Sequence, residues 1–141
     1  PFVSPDMFRE FLQPCYHAVM TEAKSRGCAI GLVDSDGNPG PLIPNWLEEG
    51  VQIMFPIEPT DNVDALAWRE KYGLEIRLRG AIDKRVLAEG GLAIDRELER
   101  LSPLLDEGGF IPHLDHLVPP DVSLKNFHEY LDKKRKWIGK D

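Results

Sequence analysis

Two histidines bracket an aspartate in the stretch Gly108-Gly109-Phe110-Ile111-Pro112-His113-Leu114-Asp115-His116-Leu117-Val118-Pro119-Pro120. Imidazole and carboxylate groups together can move protons or hold a cation. The apolar run Phe110 to Pro112 ahead of them reads as a short buried strand, and the two prolines stiffen the exit toward a final helix. Three earlier apolar runs also end in polar residues. Cys28 to Val33 ends in Asp34 and Asp36, with Asn38 just beyond. Val51 to Phe55 ends at Pro56-Ile57-Glu58, and Glu75 to Leu78 gives way to Arg79-Gly80-Ala81-Ile82-Asp83-Lys84. In a parallel α/β protein such strand ends share one rim, where chemistry is placed.

Each group admits two readings. Asp34, Asp36 and His116 offer two oxygen donors and one nitrogen, a set suited to zinc or a harder divalent metal. One residue apart in an extended chain, the two carboxylates face opposite ways, so both can ligate only where the strand has already turned. The same Asp34-Ser35-Asp36-Gly37-Asn38 segment reads as an ordinary turn before a helix. Glu58 is a candidate catalytic carboxylate or an exposed loop residue. Asp83-Lys84 is a site pair, or a helix cap followed by a surface cation. His113 and Asp115, with Asn38, are candidate substrate contacts beside His116.

The elements that must position these groups follow from hydrophobic spacing. Ser4 caps a first helix with Pro5 at its first position, and Phe8, Phe11, Leu12, Cys15 and Val19 form its inner stripe. Pro14 kinks it and Gly27 stops it. A second helix spans Pro41 to Glu49, with Ile43, Trp46 and Leu47 inward and Gly50 as its stop. Asp61 caps a helix over 62–72, with Val63, Leu66 and Ala67 inward. A short turn reaches Ala88, and a longer helix over 92–105 turns Ile94, Leu98, Leu101 and Leu105 inward, with Pro103 tightening its last turn. Ser123 caps the last helix, which buries Phe127, Tyr130, Leu131 and Ile138. The order is a helix followed by four βα units. With no tight hairpin signal, all four strands are expected parallel, with right-handed crossovers. Cys28 to Val33 is apolar throughout and reads as buried on both faces. Four such units fit a small open sheet or half of a closed (β/α)8 barrel.

The chain has 141 residues and a net charge of −7, which fits one domain and excludes a phosphate-backbone binder. The basic run Lys133-Lys134-Arg135-Lys136 complements a helix end. No apolar run is long enough for a membrane span, and no signal peptide is visible. The two cysteines, Cys15 and Cys28, are expected to be reduced and buried, in a cytoplasmic protein. The chain opens at Pro1 without methionine, which fits a fragment or a processed product.

The motifs Asp34-Ser35-Asp36-Gly37-Asn38 with Pro41-Leu42-Ile43-Pro44, Phe55-Pro56-Ile57-Glu58, Gly80-Ala81-Ile82-Asp83-Lys84-Arg85, Gly108-Gly109-Phe110-Ile111-Pro112 and Asp115-His116-Leu117-Val118-Pro119-Pro120-Asp121-Val122 occur in one order. Together with Pro1-Phe2-Val3-Ser4-Pro5-Asp6-Met7-Phe8-Arg9-Glu10-Phe11, they resemble the uroporphyrinogen decarboxylase superfamily. Its methyltransferase branch, which includes methylcobalamin:coenzyme M methyltransferases, is the more similar. The resemblance implies a single partial domain over 1–141, the C-terminal half of a (β/α)8 TIM barrel. It implies a parent enzyme that passes a methyl group from a methyl-corrinoid, on methylcobalamin or a corrinoid protein, to a small acceptor. The half barrel is expected to be inactive alone, and to pair with a missing N-terminal half or with a second copy as a homodimer. Tetrapyrrole decarboxylation is the alternative activity, and a self-associating inactive fragment is another.

By position, Asp34, Asp36 and His116 stand where zinc-dependent members carry a His-x-Cys-Gly motif and a later Cys. All three ligand types differ, which disfavours a thiol-activating zinc and leaves a harder metal. Decarboxylase members place a functional histidine in the last strand-to-helix loop, where His116 falls.

Overall fold

The computed structural model of the protein describes residues 2–139. Helix α1, Pro5–Met7, is capped by Ser4, whose Oγ accepts the Met7 N–H. It runs into a π-helical turn, Phe8–Leu12, and then into α2, Gln13–Ser25. Pro14 has no N–H to give to the ladder, and the wider turn ends just ahead of it. The extra residue advances the inner stripe by one position. Phe8 is buried as expected, but Tyr16 and Met20 pack on the core in place of Cys15 and Val19. Phe11, Leu12 and Val19 are exposed, and so are Cys15 and Cys28, both free thiols and not the buried ones expected.

Strand β1 is Gly31–Asp34. A single-turn 3-10 helix, Gly40–Leu42, leads into α3, Ile43–Glu49, which Gly50 ends at φ +84°. Ile43 and Trp46 are buried and Leu47 packs on the core, as the spacing requires. Strand β2 is Val51–Phe55, with the expected bounds. Helix α4, Ala65–Tyr72, starts later than expected, because Asp64 caps it through the Leu66 N–H at 2.9 Å. Asp61 ends a 3-10 turn instead, and Ala67 faces solvent while Ala65 and Arg69 are buried. Strand β3 is Arg77–Ile82, four residues beyond the expected end, with Glu75 in the turn before it. Helix α5, Arg85–Glu89, and helix α6, Gly91–Glu107, follow. On α6 Leu104 takes the inner position expected of Leu105, and Pro103 lies inside the helix. Strand β4 is Phe110–Leu114, so His113 belongs to the strand and not to the loop after it. Helix α7, Leu124–Trp137, has the expected Ser123 cap, and Ile138 lies just past its end.

All pairings are parallel and the order is β1-β2-β3-β4. The chain is therefore α/β, with four parallel strands in one sheet, the arrangement of a part of a TIM-barrel-like fold. The helices cover one face, where Val33, Met54, Leu78 and Phe110 join a core with Ile43, Ala65, Leu101 and Leu104. The other face is open. Leu32 is 44% exposed and Ile111 52%, with Arg77 and Arg79 on the same side by register. Strand β1 thus alternates and is not buried on both faces as expected. Among the described residues no helix is long and apolar enough to cross a membrane.

Two polar clusters lock the helices to this sheet. Arg69 is 5% exposed and donates to the carbonyls of Gly108 at 2.8 Å and Gly109 at 3.1 Å, fixing the entry to β4. Glu49 on α3 accepts from Gln13 Nε2 and pairs with His17 Nδ1, each at 2.9 Å, joining α2 to α3.

The end of β3 is strained. Gly80 has φ +113° and Ala81 φ +68°. A Cβ on Gly80 would lie 2.9 Å from the Ile57 backbone nitrogen. Gly80→Ala therefore lowers stability by about 2–3 kcal/mol, read from the urea midpoint.

The Gln13 hydrogen bond, helped by His17 and opposed by burial, holds the Glu49 carboxyl below its ordinary value of 4.5. A depressed folded value stabilises above that pH and is lost as pH falls through it. The stability gap between the wild type and Glu49→Gln should narrow as urea midpoints are followed downward from pH 4.5.

Candidate active site at the strand ends

Parallel pairing brings the four strand ends to one edge, and a cavity of about 290 Å³ lies there. Its walls include Asp34, Asp36, Phe55, His113, Asp115 and His116. Five of the predicted site residues, Asp34, Asp36, His113, Asp115 and His116, thus meet across more than 70 positions of sequence. Glu58 and Asn38 are not among its walls.

Asp34 and Asp36 are exposed and make no ion pair among the described residues. Asn38 turns back on its own loop, its Oδ1 accepting the Gly40 N–H at 3.1 Å. Glu58 lies behind the rim. One of its oxygens accepts the Gly37 N–H at 3.1 Å, and the other faces Lys84 Nζ at 3.8 Å. It fastens the loop that carries Asp36.

Asp115 is wholly buried. Its Oδ1 accepts the Lys84 N–H at 2.9 Å and its Oδ2 accepts from Lys84 Nζ at 3.0 Å. Its own N–H continues the sheet ladder to the Ile82 carbonyl at 2.8 Å. Asp115 is thus a fastening carboxylate at the cavity wall. Lys84, which the sequence leaves open as half of a site pair or as a surface cation, is mostly covered, with 21% of its side chain exposed. Asp83 does cap as expected, its Oδ1 accepting the Arg85 N–H at 2.9 Å. Burial would raise its carboxyl, but Arg85 prevails and holds it below the ordinary carboxylate range.

His113 sits at the end of β4 with its ring edge-on to Phe55, centroids 5.7 Å apart. The Arg79 guanidinium lies 4.6 Å from the Phe55 ring centroid, within cation–π range. His113 Nδ1 is 2.7 Å from the Leu114 carbonyl oxygen. A carbonyl only accepts, so Nδ1 carries the hydrogen, and Nε2 of the neutral ring holds a lone pair. His116 is exposed at the cavity mouth and makes no hydrogen bond among the described residues.

Asp34, Asp36 and His116 share this cavity but do not converge as ligands. Among the described residues no three His, Cys, Asp or Glu side chains come together as a metal-binding set. The donors as placed do not fit a metal ion.

A second layer escaped the sequence reading. Glu97 on α6 is buried, accepts the Asp83 N–H at 2.9 Å and binds Arg100 at 2.7 Å. Arg100 donates in turn to the Ala81 carbonyl at 3.1 Å, holding the strained end of β3. The signal was there: Glu97 falls between Ile94 and Leu98 on the apolar stripe, where a carboxylate needs a partner.

The family model described as Uroporphyrinogen decarboxylase (URO-D) matches residues 2–137. The chain belongs to this family. A relative named uroporphyrinogen decarboxylase, from Phenylobacterium zucineum (strain HLK1), is 24% identical over 124 residues. The match takes in 88% of this chain and 35% of that relative, so the chain spans about a third of the relative's length. The superfamily expected from the motifs is thus the one found.

Both oxygens of the buried Asp115 are held by Lys84, so its loss takes from a mostly covered ammonium group its nearer carboxylate and leaves only Glu58 at 3.8 Å. Asp115→Ala should cost about 3 kcal/mol in urea denaturation, whereas Asn38→Ala should leave stability within about 0.5 kcal/mol.

Proposed function

We propose that this chain supplies the strand-end side of an active site in a URO-D-family enzyme that moves a methyl group to a small acceptor. The donor in this reading is a methyl-corrinoid, and the acceptor is a thiol or hydroxyl compound. The observation that carries it is His113. Its Nδ1–H is committed to the Leu114 carbonyl, and the ring lines the cavity with Nε2 as a fixed acceptor. An imidazole whose tautomer is set this way suits a general base.

The acceptor's proton passes to His113 Nε2 as the bond from its oxygen or sulfur to the methyl carbon forms. The bond from donor to methyl breaks, and its electron pair stays with the donor. Asp34 and Asp36 then stabilise the imidazolium by charge. His116, at the mouth, covers the bound acceptor and restricts water. Glu58 serves this chemistry only by holding Gly37 and the loop before it.

The alternative reading is decarboxylation of a porphyrinogen. It is favoured by the name of the bacterial relative and by Arg79 beside Phe55, a cation within the same layer of the sheet. The carboxylates Asp34, Asp36 and Asp115 at the cavity weigh against docking a polycarboxylate there.

Incubation of the enzyme with methylcobalamin and a panel of thiols and phenols tests this, with the loss of methylcobalamin absorbance as readout. Turnover is expected with at least one acceptor, and His113→Ala should lower kcat by about 10²- to 10³-fold. If methylcobalamin is untouched while uroporphyrinogen loses carbon dioxide, the decarboxylase reading replaces this one.

A further inference from the structure

The Lys84 side chain touches the segments that follow two other strands, and through them a third. We infer that Lys84 is the positioning residue of the rim: it sets the cavity's polar walls relative to one another without itself meeting substrate. This rests on the reading of the cavity as an active site.

The contacts run in one chain. Lys84 follows β3. Its N–H and its Nζ hold the two oxygens of Asp115, at 2.9 Å and 3.0 Å, which fixes the segment leaving β4 between His113 and His116. The same ammonium group faces one oxygen of Glu58 at 3.8 Å, in the segment leaving β2. The other oxygen of Glu58 accepts the Gly37 N–H at 3.1 Å, in the loop that carries Asp34 and Asp36. One cation therefore joins all four strand-end segments. Backbone pairing alone does not do this, because it ends at Ser35 and Asp115 and ties only neighbouring strands.

Lys84 cannot serve as the attacking group in this arrangement. Two carboxylates face its ammonium, and neither Lys84 nor Glu58 is a wall of the cavity. Its role lies in geometry. A displacement of about 1 Å in a catalytic constellation costs about 10²-fold in rate.

The single change Lys84→Met leaves Asp115 buried and uncompensated, so loss of folding would mask the effect. The informative protein is the double variant Lys84→Met/Asp115→Asn, which removes both charges at similar volume. Lys84→Arg is the conservative partner, since a guanidinium can hold two carboxylates at once. Two readouts are taken on folded protein. The first is amide hydrogen exchange at Gly37, which Lys84 reaches only through Glu58. It should speed up about fivefold in the double variant, the worth of one hydrogen bond. The second is methyl-transfer kinetics, in which kcat should fall about 10²-fold while KM moves less than about threefold. Lys84→Arg should restore both. Gly37 exchange unchanged in the folded double variant overturns the inference, and so does a Lys84→Arg protein that behaves like the double variant. If no methyl transfer is found in any form, the proposed activity fails, while the exchange result still decides the role of Lys84.

Discussion

Parallel pairing governs this structure. Strands that all run one way must end at one edge, and the helices that return the chain must lie on a face of the sheet. Here they cover one face. Everything else is a response to those two facts. The covered face collects Val33, Met54, Leu78 and Phe110 against the helices. The ends collect carboxylates and imidazoles, which would be costly anywhere in the covered core. Past Ser35 and Asp115, where backbone pairing ends, side chains such as Glu58 and Lys84 hold the loops.

Behind the edge lies a second set of restraints. Ala81 is fully buried with φ +68°, a region that L residues enter at a cost. Arg100 on its carbonyl and Glu97 on the neighbouring Asp83 N–H keep it there. The turn this imposes sends the chain from β3 into Asp83 and Lys84, with the Lys84 side chain toward Asp115. Helix α6 thus acts on the edge through two charged residues, although none of its side chains lines the cavity. Local strain at the end of β3 is balanced by an ion pair one layer away.

The sequence made the covered half of the fold readable and obscured the open half. Val51–Phe55 is mostly apolar because it is an inner strand with helices on one face, and its bounds are plain. Strand β3 outruns its expected end at Leu78 because Arg79 looks like a loop residue in sequence, while Arg77 falls within the expected span. They lie on the uncovered face, where a strand can carry charge without penalty. His113 was placed beyond β4 for the same reason. The stripe on α2 was misplaced by one position, since periodicity alone does not show a π-helical turn before Pro14. At the edge, residue types pointed to the right places, and Asp34, Asp36, His113, Asp115 and His116 do share one cavity. Their roles were less legible. Whether a carboxylate faces substrate or fastens a loop depends on contacts such as Lys84 to Asp115, 31 positions apart.

The π-helical turn at Phe8–Leu12 also works as a phase key between two segments of one helical rod. Before it the rod presents Phe8 to the core, and after it Tyr16 and Met20. Closing the turn to ordinary helix at unchanged length would rotate the downstream segment by about 100°, one residue's worth. Tyr16 would leave the Phe8 ring, 5.2 Å away by centroids, and His17 and Gln13 would swing off Glu49 together. The aromatic contact and the polar contact of this helix therefore share one angular setting, so loss of the wide turn at unchanged length dislodges both at once, where a substitution would touch only one.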